Sequence, residues 1–173
     1  SFLFETNDCQ SEWALNNISL NVLPGEQVGI YGRIGSGKTT LFQLITRIYE
    51  PPPRSIFWLG RDVLTMDVNI LRRNIGYGQQ NVHLFSDSIR NNLLYAMPDA
   101  SQRDLEQAAA AAQVLNEIEG FNTGWDTEIG EKGIRLSGGQ KQRLALARIF
   151  IRKPTLLLLD DVLYAVDQKT KQR

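Results

Sequence analysis

No run of about 18 apolar residues occurs in this chain, so nothing in it has the length and apolarity of a membrane-spanning helix. Cysteine is nearly absent. Cys9 stands alone, which excludes an internal disulfide and any metal cluster built on thiolates, and points to a reducing compartment. Excess charge of either sign is missing as well. Lys plus Arg is 19 and Asp plus Glu is 19, which leaves no electrostatic footprint for nucleic acid. There is no basic segment followed by an apolar one at the start, hence no visible signal peptide. Ser1 runs straight into Phe2-Leu3-Phe4, which reads as a piece cut from something longer. Internal repeats and long linkers are also absent. What is present is ordinary for a globular domain: 42% hydrophobic and 22% charged residues in a chain of 173, enough for a sizeable core.

Residues 15–31 read as strands. Ile18, Leu20 and Val22 alternate with polar residues, Pro24-Gly25 makes a turn, and Glu26 to Tyr31 is a short apolar strand. Lys38 to Tyr49 reads as a helix stopped by Pro51-Pro52-Pro53. Ile56 to Leu59 is a strand candidate. Ser101 to Ile118 reads as one helix, its alanine run serving packing. Ser137 caps a helix running to about Lys153. The continuous apolar run Thr155 to Leu159 suggests a parallel strand buried on both faces.

Between a strand and a helix lies Gly32-Arg33-Ile34-Gly35-Ser36-Gly37-Lys38-Thr39, a complete G-x-x-x-x-G-K-[ST] phosphate loop in its required context. Its glycines let the backbone wrap closely, its N–H groups converge on phosphate oxygens, and the helix aims its positive end at the same place. Lys38 can reach the β- and γ-phosphates, and the Thr39 hydroxyl can ligate Mg²⁺. Leu156-Leu157-Leu158-Leu159-Asp160-Asp161 has the form of a Walker B strand. Asp160 emerges at the C-terminal edge, where open α/β sheets bind ligands, to hold Mg²⁺. Asp161 is placed to orient the attacking water.

Leu136-Ser137-Gly138-Gly139-Gln140 narrows the class. It resembles the LSGGQ signature of ABC ATPases, and the resemblance covers essentially the whole chain. Ser137 and the N–H groups of Gly138 and Gly139, at a helix start, form a second anion site. In that family the site works in trans, over ATP held by the phosphate loop of a second ABC domain. The resemblance implies nucleotide contacts from Gly32, Arg33, Gly35, Ser36, Gly37, Lys38, Thr39 and Thr40, and from Ser137 to Gln140. Ile75-Gly76-Tyr77-Gly78-Gln79-Gln80 resembles the Q-loop, with Gln80 as the Mg²⁺- and water-contacting glutamine and Gln79 in place of a usual proline. An assignment one residue away stays open. Leu84-Phe85-Ser86 with Ile89-Arg90-Asn91-Asn92 resembles the exporter segment that touches membrane domains, and Thr127 to Gly133 resembles the X-loop of exporters. Tyr164-Ala165-Val166-Asp167 resembles the D-loop. Phe4 fills the place of the aromatic that stacks on adenine, with Phe2 and Trp13 as rivals and a plain core role equally open.

Three departures stand out. Asp161 replaces the family's glutamate, a shortening of about 1.5 Å. Family resemblance associates this change with the weaker site of an unlike pair, so that the chain acts mainly as an ATP-holding clamp. The switch histidine expected beyond the D-loop is not in the chain. His83, the sole histidine, precedes the signature and reads as a loop residue. Arg54 stands where glycine is usual.

The resulting expectation is an α/β P-loop NTPase core, a mixed or parallel sheet with flanking helices and an antiparallel β edge, plus a helical signature subdomain. It comprises one ABC domain over 1–173, truncated at its C-terminal end, with 1–85 and 154–173 as core and 86–153 as the helical part. The implied activity is ATP hydrolysis with Mg²⁺, with Asp161, Gln80 and Lys38 as catalytic residues and Thr39, Gln80 and Asp160 at the metal. The implied partners are a second ABC domain and membrane-spanning domains, at the cytoplasmic face of a membrane.

Overall fold

Backbone pairing begins at the first residues. In the computed structural model, which describes residues 1–3, 13–79, 81–130 and 134–161, β1 (Phe2–Leu3) runs antiparallel to β2 (Trp13–Leu15). The chain divides into two compact units, Ser1–Arg72 and Arg73–Arg173.

In the first unit the alternating run after Leu15 does not become strand. Among the described residues, 16–31 make no ladder, and Ile18, Leu20 and Val22 are exposed. Alternation supplies a face but no partner, and a strand exists only through hydrogen bonds to a neighbour. The Pro24-Gly25 turn does form. Glu26 N donates to Leu23 O at 3.0 Å, and Gly25 sits at φ 80° as the third residue of such a turn requires. Helix α1 (Lys38–Ile45) is shorter than its pattern. The Thr46 hydroxyl donates back to Phe42 O at 2.9 Å, and Arg47 turns to φ 52°, so the helix ends well before the prolines. Arg47 then donates to Val63 O and Met66 O, and Arg72 to Thr46 O and Arg47 O, which ties down the orphan carbonyls of the α1 end. A hairpin of β3 (Phe57–Trp58) and β4 (Arg61–Asp62) turns at Leu59-Gly60. Arg54 adopts φ 58°, the left-handed region that suits glycine, and its N–H donates to Asp62 Oδ2 at 2.9 Å.

Helix α2 (Val68–Asn74) leads into the second unit, where β5 (Ile75–Gly78) pairs in parallel with β6 (Leu156–Leu159). Parallel pairing agrees with the apolar run, but burial on both faces does not hold. Leu158 is buried while Leu157 is 43% exposed, so one face of the strand is covered and the other is not. The helical part holds the core. The expected helix from Ser101 splits into α4 (Gln102–Ala111) and α5 (Leu115–Glu119) at Gln113, whose φ is 56°. Val114 at the start of α5 and Ile118 one turn on are buried on one face of that helix. Ala108, Ala109 and Ala112 are buried and Ala110 and Ala111 exposed, so the alanine run packs on one side, as read from sequence. Helix α6 (Gly138–Phe150) lies against α4 and α3 (Ile89–Leu94), burying Leu144 and Ala147. Arg143 of α6 pairs with Glu117 of α5.

Candidate functional site

The phosphate loop is held in the first unit by its own backbone. Ser36 N donates to Arg33 O at 3.1 Å, and Gly37 at φ 86° is the N-cap of α1. A Cβ on Gly37 would run into the Ala14 carbonyl of β2, so both the left-handed backbone and the close approach demand glycine. No side chain caps this helix start, and its first turn carries no acid. An incoming anion therefore displaces no protein cap and meets no like charge, which suits the oxygens of a nucleotide phosphate. Lys38 Nζ donates to Gly32 O at 2.9 Å and Arg33 O at 3.0 Å, so the ammonium already folds back over the loop. Gly32, Arg33, Gly35, Ser36 and Thr39 are exposed, while Thr40 is half-buried in the first turn.

In the second unit Asp160 ends β6, 7% exposed, with its N–H donating to Gly78 O at 2.8 Å. The Tyr77 hydroxyl donates to Asp160 Oδ2 at 3.5 Å. Burial, the Asp160 charge and that bond together push the Tyr77 phenol up to about 12. Asp161 is exposed and sits at φ 52°, a left-handed conformation that aspartate tolerates better than longer side chains. Among the described residues no group of three His, Cys, Asp or Glu could hold a metal. A hydroxyl at Thr39 and a carboxylate at Asp160 are the hard oxygen donors that suit Mg²⁺, which is commonly held by one or two protein groups plus substrate phosphates.

The signature segment opens α6. Ser137 Oγ accepts from Gln140 N at 3.2 Å, and Gln140 Oε1 accepts from Ser137 N at 2.8 Å. This reciprocal cap fixes the helix start, with Gly138 exposed and Gly139 half-buried. Among the described residues nothing lies within 4 Å of a Cβ built on Gly138, so their packing does not require glycine there.

Asn92, quoted above only as part of a resembling segment, is fully buried. Its side chain accepts from Phe85 N at 2.9 Å and donates to Phe85 O and Ser88 O, both at 3.0 Å. It thereby holds the loop at 85–88 onto α3. Asn92→Ala strands these backbone groups in the interior and is expected to cost on the order of 2–4 kcal/mol. Thermal unfolding checks this, and a loss under about 1 kcal/mol would show that the loop does not depend on the amide. Arg148 of α6 braces the same loop, donating to His83 O at 2.7 Å with its guanidinium 5.7 Å from the Phe85 ring. His83 enters through its backbone oxygen and its side chain is exposed, as a loop residue would be.

The family model for ABC transporters matches residues 15–163. The chain belongs to the ABC transporter family. It is 44% identical over 160 residues to the uncharacterized ABC transporter ATP-binding protein YfiB of Bacillus subtilis, covering 92% of this chain and 28% of that protein. It is 40% identical over 173 residues to the ATP-dependent lipid A-core flippase of Photobacterium profundum, covering 99% of this chain and 29% of the flippase. The solved structure of a bacterial Atm1-family ABC exporter with ATP bound matches with a TM-score of 0.88 at 35% identity, over 99% of this chain and 30% of that one. This ABC domain thus spans less than a third of each of these relatives. Its P-loop NTPase fold class and ATP-hydrolysing character follow from family membership.

Several sequence expectations lie outside the described residues: Phe4, Gln80, the X-loop residues 131–133, and 162–173 with the D-loop Asp167. The rivals of Phe4 are partly described, with Phe2 opposite Leu15 and Trp13 opposite Leu3 in the β1–β2 pair. Two functional features escaped sequence reasoning. The return bond, in which Gln140 Oε1 accepts from Ser137 N, adds to the cap read at Ser137 and had a usable signal in the S-x-x-Q spacing. The Tyr77–Asp160 contact had none, because 83 residues separate its partners.

Proposed function

We propose that this domain powers an exporter by binding ATP and Mg²⁺, closing onto a second ABC domain, and hydrolysing the nucleotide. Closure pulls on membrane-spanning domains of the same polypeptide at the cytoplasmic face of the membrane and switches their access. The observation that carries this reading is the signature helix start, rigidly capped by Ser137 and Gln140 yet open above Gly138. A glycine that its own fold does not need is explained by a group that arrives from outside, here the γ-phosphate of ATP on the partner domain. In this scheme Gly32 to Thr40 bind the nucleotide, with Lys38 neutralising the β- and γ-phosphates. Thr39, Asp160 and Gln80 would hold Mg²⁺, which when bound would neutralise charge on the phosphates. Asp161 and Gln80 orient the attacking water, and Phe4 stacks on adenine. Residues 86–153 form the helical signature subdomain, and 1–85 with 154–173 the ATP-binding core.

Substitution in the signature separates trans action from a local structural role. Gly138→Ala is expected to stabilise the isolated domain by about 0.4–1 kcal/mol, since alanine loses less backbone freedom on folding. It should nevertheless weaken ATP-dependent pairing, because its methyl group intrudes between helix start and phosphate. Gly139→Asp, which sets a carboxylate against the γ-phosphate, should abolish pairing with monomer ATP affinity nearly intact. Size-exclusion chromatography with a non-hydrolysable ATP analogue reads both. Normal pairing by Gly139→Asp would remove the sandwich from this chain.

A second reading has its own support. Asp161 is shorter than the usual glutamate and sits on a left-handed backbone. In this reading the domain is mainly an ATP-holding clamp whose signature completes the active site of an unlike partner.

A further inference from the structure

Tyr77 and Asp160 lie on adjacent parallel strands in a register that makes their contact specific. Tyr77 is opposite Leu158, so Asp160 lies two residues further on and on the same face of the sheet. Two strand residues advance about 6.6 Å, a span the long tyrosine side chain covers. The phenol therefore lies along the sheet and meets the carboxylate at the strand end, at Oδ2 and 3.5 Å. Backbone pairing locks the two strands together beneath this contact, because Asp160 N donates to Gly78 O at 2.8 Å. Tyr77 is itself half-buried, and Asp160 is 7% exposed.

We infer that Tyr77 is a positioning residue for the Asp160 carboxylate, engaging Oδ2 from the neighbouring strand so that the group is held in one orientation toward Mg²⁺. The inference rests on the assignment of Asp160 to the metal made above. A carboxylate that ligates a metal directly or through water works best when a second partner fixes its plane. The phenol suits this task. Its hydroxyl donates to Oδ2 from the neighbouring strand. Phenylalanine at 77 would fill the same space and leave Oδ2 without that donor.

Two quantities are measured on the purified protein: ATP affinity in the presence of a chelator, by calorimetry, and Mn²⁺ affinity of the ATP-bound protein, by electron spin resonance. Tyr77→Phe should lower Mn²⁺ affinity roughly 10-fold and leave metal-free ATP affinity within about twofold. In an Asp160→Asn background, Tyr77→Phe should have no further effect on Mn²⁺, since it acts through that carboxylate. Unchanged or tighter Mn²⁺ binding by Tyr77→Phe would overturn the inference. So would an equal loss of metal-free ATP binding, which marks a general packing role. If Asp160→Asn alone leaves Mn²⁺ affinity unchanged, the metal assignment beneath the inference fails, a result distinct from failure of Tyr77.

Discussion

Lys38→Ala is expected to weaken Mg-ATP binding roughly 10- to 150-fold, from the loss of charged hydrogen bonds worth about 1.5–3 kcal/mol. The lysine ends the phosphate loop, and its ammonium is the side-chain charge nearest the loop carbonyls of Gly32 and Arg33. Those carbonyls now share the ammonium among themselves. When ATP arrives, phosphate oxygens offer it stronger, charge-assisted partners. Alanine removes that gain and leaves the negative phosphates facing only backbone N–H groups and the α1 terminus. The domain should stay folded, because the lysine bonds reach exposed loop oxygens and not the core. Calorimetric titration with Mg-ATP measures the loss, with thermal unfolding as the control. Unchanged affinity would remove the phosphate-loop assignment.

Asp161→Glu is expected to raise turnover at this chain's own site by on the order of 100-fold, the cost attached to a misplacement of about 1 Å in a catalytic group. Aspartate leaves the carboxylate about 1.5 Å short of where glutamate would place it. The backbone argues in the other direction for stability. At φ 52° aspartate is tolerated through its short polar side chain, whereas glutamate pays about 1 kcal/mol, a melting shift of roughly 2–4 °C for a domain of this size. Gain of turnover with loss of stability is the signature expected if this position trades one for the other. Asp161→Asn should change total turnover little if a partner site dominates, and abolish it if this site is the engine. The measurements are total ATPase activity of the complete protein for wild type and Asp161→Asn, and single-site activity of wild type and both variants with the partner site disabled. Wild-type turnover already at about 1–100 per second, without gain from glutamate, would dispose of the clamp reading.

The parts of the site that the sequence discloses are those made by neighbours along the chain. The phosphate loop needs eight consecutive residues and a following helix, and the helix start at Gly37 is where the spacing puts it. The Ser137 cap and the Pro24-Gly25 turn are equally local, and both form where read. Extents were less legible. The α1 end is set by Thr46 and Arg47, not by the prolines, and the Ser101 helix breaks at Gln113. In both cases a single residue outside the helical backbone region ends a pattern that remains apolar and periodic beyond it.

What the sequence by itself determined is the chemistry: a phosphate loop, an acidic strand end and a signature helix, each a contiguous run whose function depends on spacing. Tertiary structure decided which side chains support those runs. It buried Asn92 under the loop at 85–88, placed the Arg143–Glu117 pair between α6 and α5, and brought Tyr77 to Asp160. It also left the alternating residues 16–31 without a ladder among the described residues, although their pattern promised strands. The physical reason is common to these cases. Periodicity specifies which face of an element is apolar, but burial and hydrogen bonding are contracts between segments far apart in the chain. Only the register of β5 against β6 sets a phenol two residues behind a carboxylate, and that register is a property of two strands together.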